Sequence, residues 1–423
     1  MRYTILYCDG GKITATYLCT VCKIYIYDEN IGDPKTNLAA GTTFDNIPYT
    51  WRCPICGATR NSLKLIGPDE VNKVPSEKDE FTLVKVRNNA AEKLAGLCGV
   101  YKVCDGNPDR LCMGQKFGEA VGMGGIGKGL SFTANVNALD RLKLKTRLIS
   151  EHFVPDMTST IYGHEISIPV MASSLSGVIN SMGGSISEKE FALAILEGSK
   201  NAKTLGLIGN TADDGEELTG VEAVKKVGLG IPIFKPQKNE RLLQLIKLAE
   251  NAGAVAVGVD LDGVGSENWE KKGKPLYRKS VSDIQELVDF THLPFIAKGI
   301  MSVEDAVDAL DAGVRGIDVS NHGGRILDST RGVAEVLPEI IEALNGKITI
   351  TAGGGVRTGF DVMKMLALGA DGVLIGRDMI RAAVGGGPEG VKLHFDYLRR
   401  DLRRGMVMTG CKSIGDINCS IFD

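Results

Sequence analysis

Nowhere in the 423 residues is there an uncharged apolar run long enough to span a bilayer, and the opening MRYTILYCDGGK is cut by Cys8, Asp9 and Gly10 after a short apolar stretch. These absences predict a soluble, cytoplasmic chain with no membrane partner. Charge of one sign is also scarce. Lys, Arg, Asp and Glu are mixed to a formal net charge of -3, with no long basic stripe to neutralise nucleic acid phosphates and no polybasic arm for a membrane surface. The expected partner is therefore a small molecule. Ten cysteines are too few for a disulfide scaffold at this length, and their clustering says more than their number: Cys8, Cys19 and Cys22; Cys53 and Cys56; Cys98, Cys104 and Cys112; Cys411 and Cys419. Paired thiols in a cytosolic chain point to metal.

The length exceeds that of a usual single domain, so two units or one large barrel with additions are expected. Residues 1–66 read as a small, short-stranded and aromatic-rich unit. Residues 67–80, GPDEVNKVPSEKDE, carry two prolines and a run of charges and read as a linker. Residues 81–150 form a helical, Cys- and Gly-rich segment that includes GMGGIGKG, and residues 151–423 form the main unit. From Ile166 onward, short runs of β-branched and small apolar residues alternate with longer amphipathic segments, the pattern of repeated βα units. Eight such runs end at Ala172, Gly209, Lys235, Asp260, Gly299, Ser320, Gly353 and Gly376. The prediction is an α/β fold, a (β/α)8 TIM barrel preceded by a small metal-binding domain, with chemistry at the C-terminal strand ends.

Cys19 and Cys22 form one CxxC and Cys53 and Cys56 a second, in CPICG, so four thiolates can converge on one tetrahedral ion. Thiolates alone leave that ion undecided between zinc and iron. Cys8 reads as an incidental thiol, since four ligands already close such a site. The stretch from YLCTVC to CPICGATRNSLKLI, with YIYD, a GDP turn, GTTF, IP and Trp51, resembles rubredoxin over nearly its whole length. That resemblance implies one iron held by Cys19, Cys22, Cys53 and Cys56 and a role in single-electron transfer. One departure is Lys23, which follows the first CxxC where rubredoxins usually carry Gly, together with one extra residue; both bear on the amide hydrogen bonds to sulfur.

At the sixth predicted strand end, SNHGGRILD places Asn321, His322 and Arg325 on one loop. Such a pair can handle a hydroxy acid: Arg clamps the carboxylate with two parallel hydrogen bonds, and His moves the proton on the adjacent oxygen. At the seventh and eighth ends, TAGGGVRTG and GVLIGR put exposed backbone amides and the charges of Arg357 and Arg377 above a helix start, a barrel phosphate site.

These strings resemble the FMN-dependent 2-hydroxy acid oxidase and dehydrogenase family, which includes glycolate oxidase, lactate oxidase and flavocytochrome b2. The likeness runs from about Pro155 to Ile417 and is strongest from Lys298 to Arg377. It implies FMN, with His322 as catalytic acid/base, Arg325 as carboxylate clamp, Lys298 beside flavin N1 and O2, and Asp260 orienting His322. It also implies that Ala172, Ser173 and Ser174 face the flavin and that Gly354, Gly355, Arg357, Gly376 and Arg377 hold its phosphate. Departures lie on the substrate side. IFKPQKN stands where the family has a Gln and a Tyr, bringing Lys235 and Gln237 to the third strand end; Lys235 reads either as a substrate contact or as a solvated lysine. DLDGVGSEN lacks the usual downstream Arg, and Gly353 replaces an Asp.

Taken together, these resemblances imply an enzyme that interconverts a small 2-hydroxy acid and its 2-oxo acid, passing electrons between FMN and iron to an electron-carrier protein, in an anaerobic setting and as a homo-oligomer. Two other readings remain: an FMN barrel of the type 2 isopentenyl diphosphate isomerase kind, against which NHGGR argues, and a non-catalytic electron carrier. Cys98, Cys104 and Cys112, with Cys411 as a fourth thiol, read either as an additional iron–sulfur cluster or as buried small thiols.

Overall fold

The computed structural model describes residues 15–21, 25–54, 58–67, 81–94, 126, 128–215 and 218–423, the side chains of residues 180 and 181 excepted. Cys22, Cys56 and the whole of Cys98, Cys104 and Cys112 lie outside the described residues, as do Cys8, most of the expected linker and most of GMGGIGKG. The chain divides into two compact units, Met1–Thr82 and Leu83–Asp423. Among the described residues no helix is long and apolar enough to cross a membrane.

The first unit is a three-stranded antiparallel sheet of β1 (Thr16–Cys19), β2 (Ile26–Asp28) and β3 (Leu63–Ile66), in the order β2-β1-β3. So short a sheet cannot build a large core, and its aromatics fix the loops instead. The Trp51 indole donates to Thr36 Oγ1 (3.0 Å), the Tyr25 hydroxyl to Asp33 Oδ2 (2.7 Å) and the Tyr27 hydroxyl to the Thr42 carbonyl (2.6 Å). Cys19 and Cys53 are buried in this same small core with Trp51, Tyr25 and Leu63.

The second unit is a closed parallel barrel. Its strands are β6 (Val170–Leu175), β7 (Gly206–Gly209), β8 (Ile231–Phe234), β9 (Val257–Asp260), β10 (Phe295–Ile300), β11 (Gly316–Val319), β12 (Thr349–Ala352) and β13 (Gly372–Ile375). A helix follows each strand; that after β11, Val333–Leu344, buries Val333, Val336, Leu337, Ile340 and Leu344, a stripe at helical spacing. The expected strand ends agree to within a residue, except that β6 runs three residues past Ala172. A register shift between Ala172 and Leu175 bends that end, so Ser173 and Ser174 leave the barrel wall on a bulge.

A hairpin, β4 (Ser159–Ile161) and β5 (His164–Ile166), closes the N-terminal mouth. Ile161 and Ile166 join Met171, Leu207, Ile231, Ile233, Ile296 and Leu374 in an apolar plug inside the barrel. A side chain at Gly316, the first residue of β11, would collide with the Tyr162 hydroxyl from that hairpin. With one mouth plugged, a ligand can enter only at the C-terminal strand ends.

Candidate active site

A cavity of about 360 Å³ opens at those strand ends. Ser173, Ser174, Lys235, Asp260, Lys298, His322, Arg325, Gly354, Gly355, Arg357, Gly376 and Arg377 all line it. Ala172 does not; it is fully buried in the core. Gln237 is likewise absent from the lining, its amide turned to the Lys235 carbonyl (2.7 Å).

Strand register explains the central row. Lys298 on β10 pairs with Asp260 on β9 and with Asp318 on β11, and Asp318 pairs with Thr351 on β12. Paired residues of parallel strands face the same side, so Asp260, Lys298 and Asp318 stand next to one another inside the barrel. Lys298 Nζ donates to Asp260 Oδ1 (2.8 Å), while Lys235 from the end of β8 holds Asp260 Oδ2. Burial works against charge on Asp260, but Lys235 and Lys298 outweigh it and hold the carboxyl well below the usual range. Burial also opposes the Lys298 charge, and Asp260, Asp262 and Asp318 overcome it, so the ammonium is retained.

His322 sits in the left-handed region (φ 56°), followed by Gly323 (φ 66°) and Gly324 (φ 77°). This turn needs its glycines, because a side chain at Gly323 would strike the Arg377 guanidinium and one at Gly324 the backbone of Phe132. The turn is pinned from behind: Asn135 and Asn321 exchange side-chain hydrogen bonds (2.8 and 3.2 Å), and the Asn135 oxygen also accepts from the Val333 amide (2.9 Å).

The imidazole Nδ1 lies 3.0 Å from Asp262 Oδ1 and 3.6 Å from Asp260 Oδ1. The structure thus differs from the expectation that Asp260 orients His322: with both Asp260 oxygens taken by lysines, Asp262, two residues on, is the hydrogen-bond partner. An ionised carboxylate only accepts, so Nδ1 carries the hydrogen and Nε2 is left as the basic nitrogen. Burial pushes the imidazole below its ordinary pKa, with Asp260 and Asp262 opposing and the two lysines adding to the shift. Burial thus favours the neutral imidazole, the state a base requires.

Gly376 caps a helix that begins at Arg377 and is broken at Gly387 (φ 57°), and Gly376, Arg377 and Asp378 line the cavity; the first amides of a helix have no partner within it. Arg377 donates to the Gly323 carbonyl (2.7 Å) and stacks over Phe132 (4.5 Å). Gly354 and Gly355 back onto Asn135, where any side chain would collide. Bare backbone, a helix start and two arginines form a donor set that could hold a phosphate group.

Sequence reasoning missed Asp262, Asn135, Phe132, Asn210 and Asp318. Asp262 had a signal, since DLD offers two carboxylates at the end of β9. Asn210, which accepts from the Lys235 amide (2.8 Å), had none. Cys411, expected as a fourth thiol, is buried beyond the last helix, its thiol near the Asp416 carbonyl (3.6 Å).

A family model for FMN-dependent dehydrogenases matches residues 115–278 and 271–423, and one for rubredoxin matches residues 16–63. The chain is 31% identical to 2-hydroxyacid oxidase 2 of Rattus norvegicus, covering 69% of this chain and 89% of that one. It is 30% identical to a peroxisomal (S)-2-hydroxyacid oxidase of Arabidopsis thaliana, over 67% and 85%. Over a shorter stretch it is 45% identical to an L-lactate dehydrogenase of Pseudomonas paraeruginosa, over 33% and 36%. Among solved structures, mandelate oxidase with (S)-2-phenylpropionate superposes with a TM-score of 0.62 at 27% identity, covering 79% of this chain and 96% of that one. With a rubredoxin-like domain at its N-terminal end, this chain belongs to the FMN-dependent dehydrogenase family.

Proposed function

We propose that this enzyme interconverts a small 2-hydroxy acid and its 2-oxo acid at FMN and passes the electrons between FMN and a rubredoxin-type iron. The observation that carries the reading is His322, its Nδ1 hydrogen-bonded to Asp262, in one cavity with Arg325 and Lys298. The residues fit FMN. Arg357, Arg377, Gly354, Gly355 and the helix start at Gly376 would hold its phosphate, and Ser173 and Ser174 would meet the ring. When bound, FMN supplies the ability to take a hydride equivalent and to release electrons singly. Everything else falls to the chain's own groups. Arg325 clamps the substrate carboxylate, His322 Nε2 takes the hydroxyl proton, Asp262 steadies the resulting imidazolium, and Lys298 offsets negative charge beside the ring. Lys235, bound to Asp260, lines the substrate side of the site.

At the other end of the chain, Cys19 and Cys53 share one core, and with Cys22 and Cys56 they would form an all-thiolate site suited to iron. An electron-carrier protein as onward partner, a homo-oligomeric state and a cytoplasmic location complete the proposal.

The test is anaerobic bleaching of the flavin by a panel of aliphatic and aromatic 2-hydroxy acids in both configurations. At least one should bleach it within seconds. A panel that leaves the flavin fully oxidised would overturn the reading.

A further inference from the structure

The barrel holds one carboxyl group that the chemistry above does not use. Asp318 is the third residue of β11 and turns inward, where it is 1% exposed. Ile296, two residues before its β10 partner Lys298 and on the same face, belongs to the apolar plug, so Asp318 stands at the border of that plug, where an apolar residue would be an ordinary choice. Neither carboxyl oxygen accepts a well-formed hydrogen bond, and the Thr351 side chain beside them favours the ionised form without offsetting burial. Lys298 Nζ is 3.9 Å from Oδ2 and is already bonded to Asp260, and the Thr351 hydroxyl donates to the Ile317 carbonyl (3.2 Å). From the plugged mouth, the Tyr162 hydroxyl approaches, buried and also without a partner.

The ionisable groups facing Asp318 are few: Lys298 on β10, Asp260 and Asp262 at the end of β9, and Tyr162 from the hairpin. Lys235 and His322 stand one contact further, on Asp260 and Asp262. Lys298 lies between Asp260, to which it donates, and Asp318, at 3.9 Å, so the Asp318 proton sets how much negative charge surrounds this ammonium.

We propose that Asp318 is a positioning residue that takes up a proton from solvent when negative charge is placed beside Lys298, and so ties the redox balance of the site to pH. The inference rests on the proposed flavin chemistry, because Lys298 is the group beside the ring in that reading. The physical argument is Coulombic. Asp318 and the ring would lie on either side of one ammonium, and burial leaves little water between them to screen the interaction. Adding negative charge on one side makes a second negative charge on the other less favourable. Burial already pushes the carboxyl up to about 7 against the pull of Lys298, so the proton is exchanged near neutrality.

Two measurements test this, neither of which uses a substrate. In the flavin-free protein, Asp318 binds its proton more tightly when folded than when unfolded. Stability should therefore fall as pH rises from the ordinary carboxylate range through about 7. Asp318→Asn should lack that decline, and Asp318→Leu, which suits the apolar plug, should lack it as well. In the FMN-loaded protein, the flavin midpoint potential is measured by equilibrium with a chemical reductant from about pH 5.5 to 8.5. The parent's slope against pH should be up to about twofold steeper near neutrality than that of either variant, because a second proton accompanies the two electrons. Parallel slopes in all three proteins would overturn the inference, even with the stability difference present, since Asp318 would then be a buried acid that does not sense the site. A steeper parent slope in a protein that no hydroxy acid reduces would leave the inference standing and sink the proposed substrate class instead.

Discussion

His322 Nδ1 is hydrogen-bonded to Asp262, at 3.0 Å, and lies 3.6 Å from Asp260, whose two oxygens meet Lys235 and Lys298. The two carboxylates at the end of β9 thus divide the work: one meets the imidazole, the other gathers the lysines.

That division predicts distinct variants. Asp262→Asn should lower the rate of flavin reduction roughly 10- to 100-fold, in line with the loss of a carboxylate that orients an imidazole. Asp262 raises the His322 pKa against the larger effect of burial, so its loss should move the acid limb of the kcat/KM profile further toward low pH. Asp260→Asn should act mainly on stability, by about 3–5 kcal/mol, since it strands Lys298 and Lys235 without their shared counter-charge. A pH profile of Asp262→Asn that overlies the parent's would show that Asp262 does not set the imidazole.

His322→Gln should cut flavin reduction by about 10²- to 10⁴-fold, the usual contribution of a general base, with little change in substrate binding. Arg325→Lys keeps the charge but loses the planar two-point fork, so both binding and rate should drop. Anaerobic stopped-flow bleaching against substrate concentration separates the two patterns. Near-parental reduction by His322→Gln would rule out proton transfer on this loop.

The proposed phosphate cradle and the proposed proton-moving loop lie on different strand ends. Arg357→Ala should therefore weaken FMN retention through gel filtration, whereas His322→Ala should keep its flavin. Equal loss of flavin in the two proteins would mean that the roles have been misassigned.

Metal analysis of protein purified from its natural source should give one iron, with the visible absorption of a ferric tetrathiolate and loss of both on Cys19→Ser or Cys53→Ser. Zinc at full occupancy in such a preparation would remove the single-electron step from the proposal.

Much of this was legible in the chain itself. Eight β-branched runs with helical spacers between them specify a parallel barrel, because strands buried on both faces must be apolar throughout, and the glycine strings specify where backbone has to approach a ligand or turn left-handed. NHGGR and the arginines after β12 and β13 could be placed at the cavity from the sequence because each is local, a few residues at one strand end. What the sequence could not decide was pairing between strands. Lys298 meets Asp260 and Asp318 only because three strands align in register, and Asp260 meets Lys235 only because β8 lies beside β9. The same holds for Asn135, which lies 186 residues from Asn321 and is brought beneath it by a helix packed over the loop. Composition and spacing fixed which groups were present, whereas closure of the barrel decided which carboxylate faces which cation, and burial then decided which of them keeps its proton.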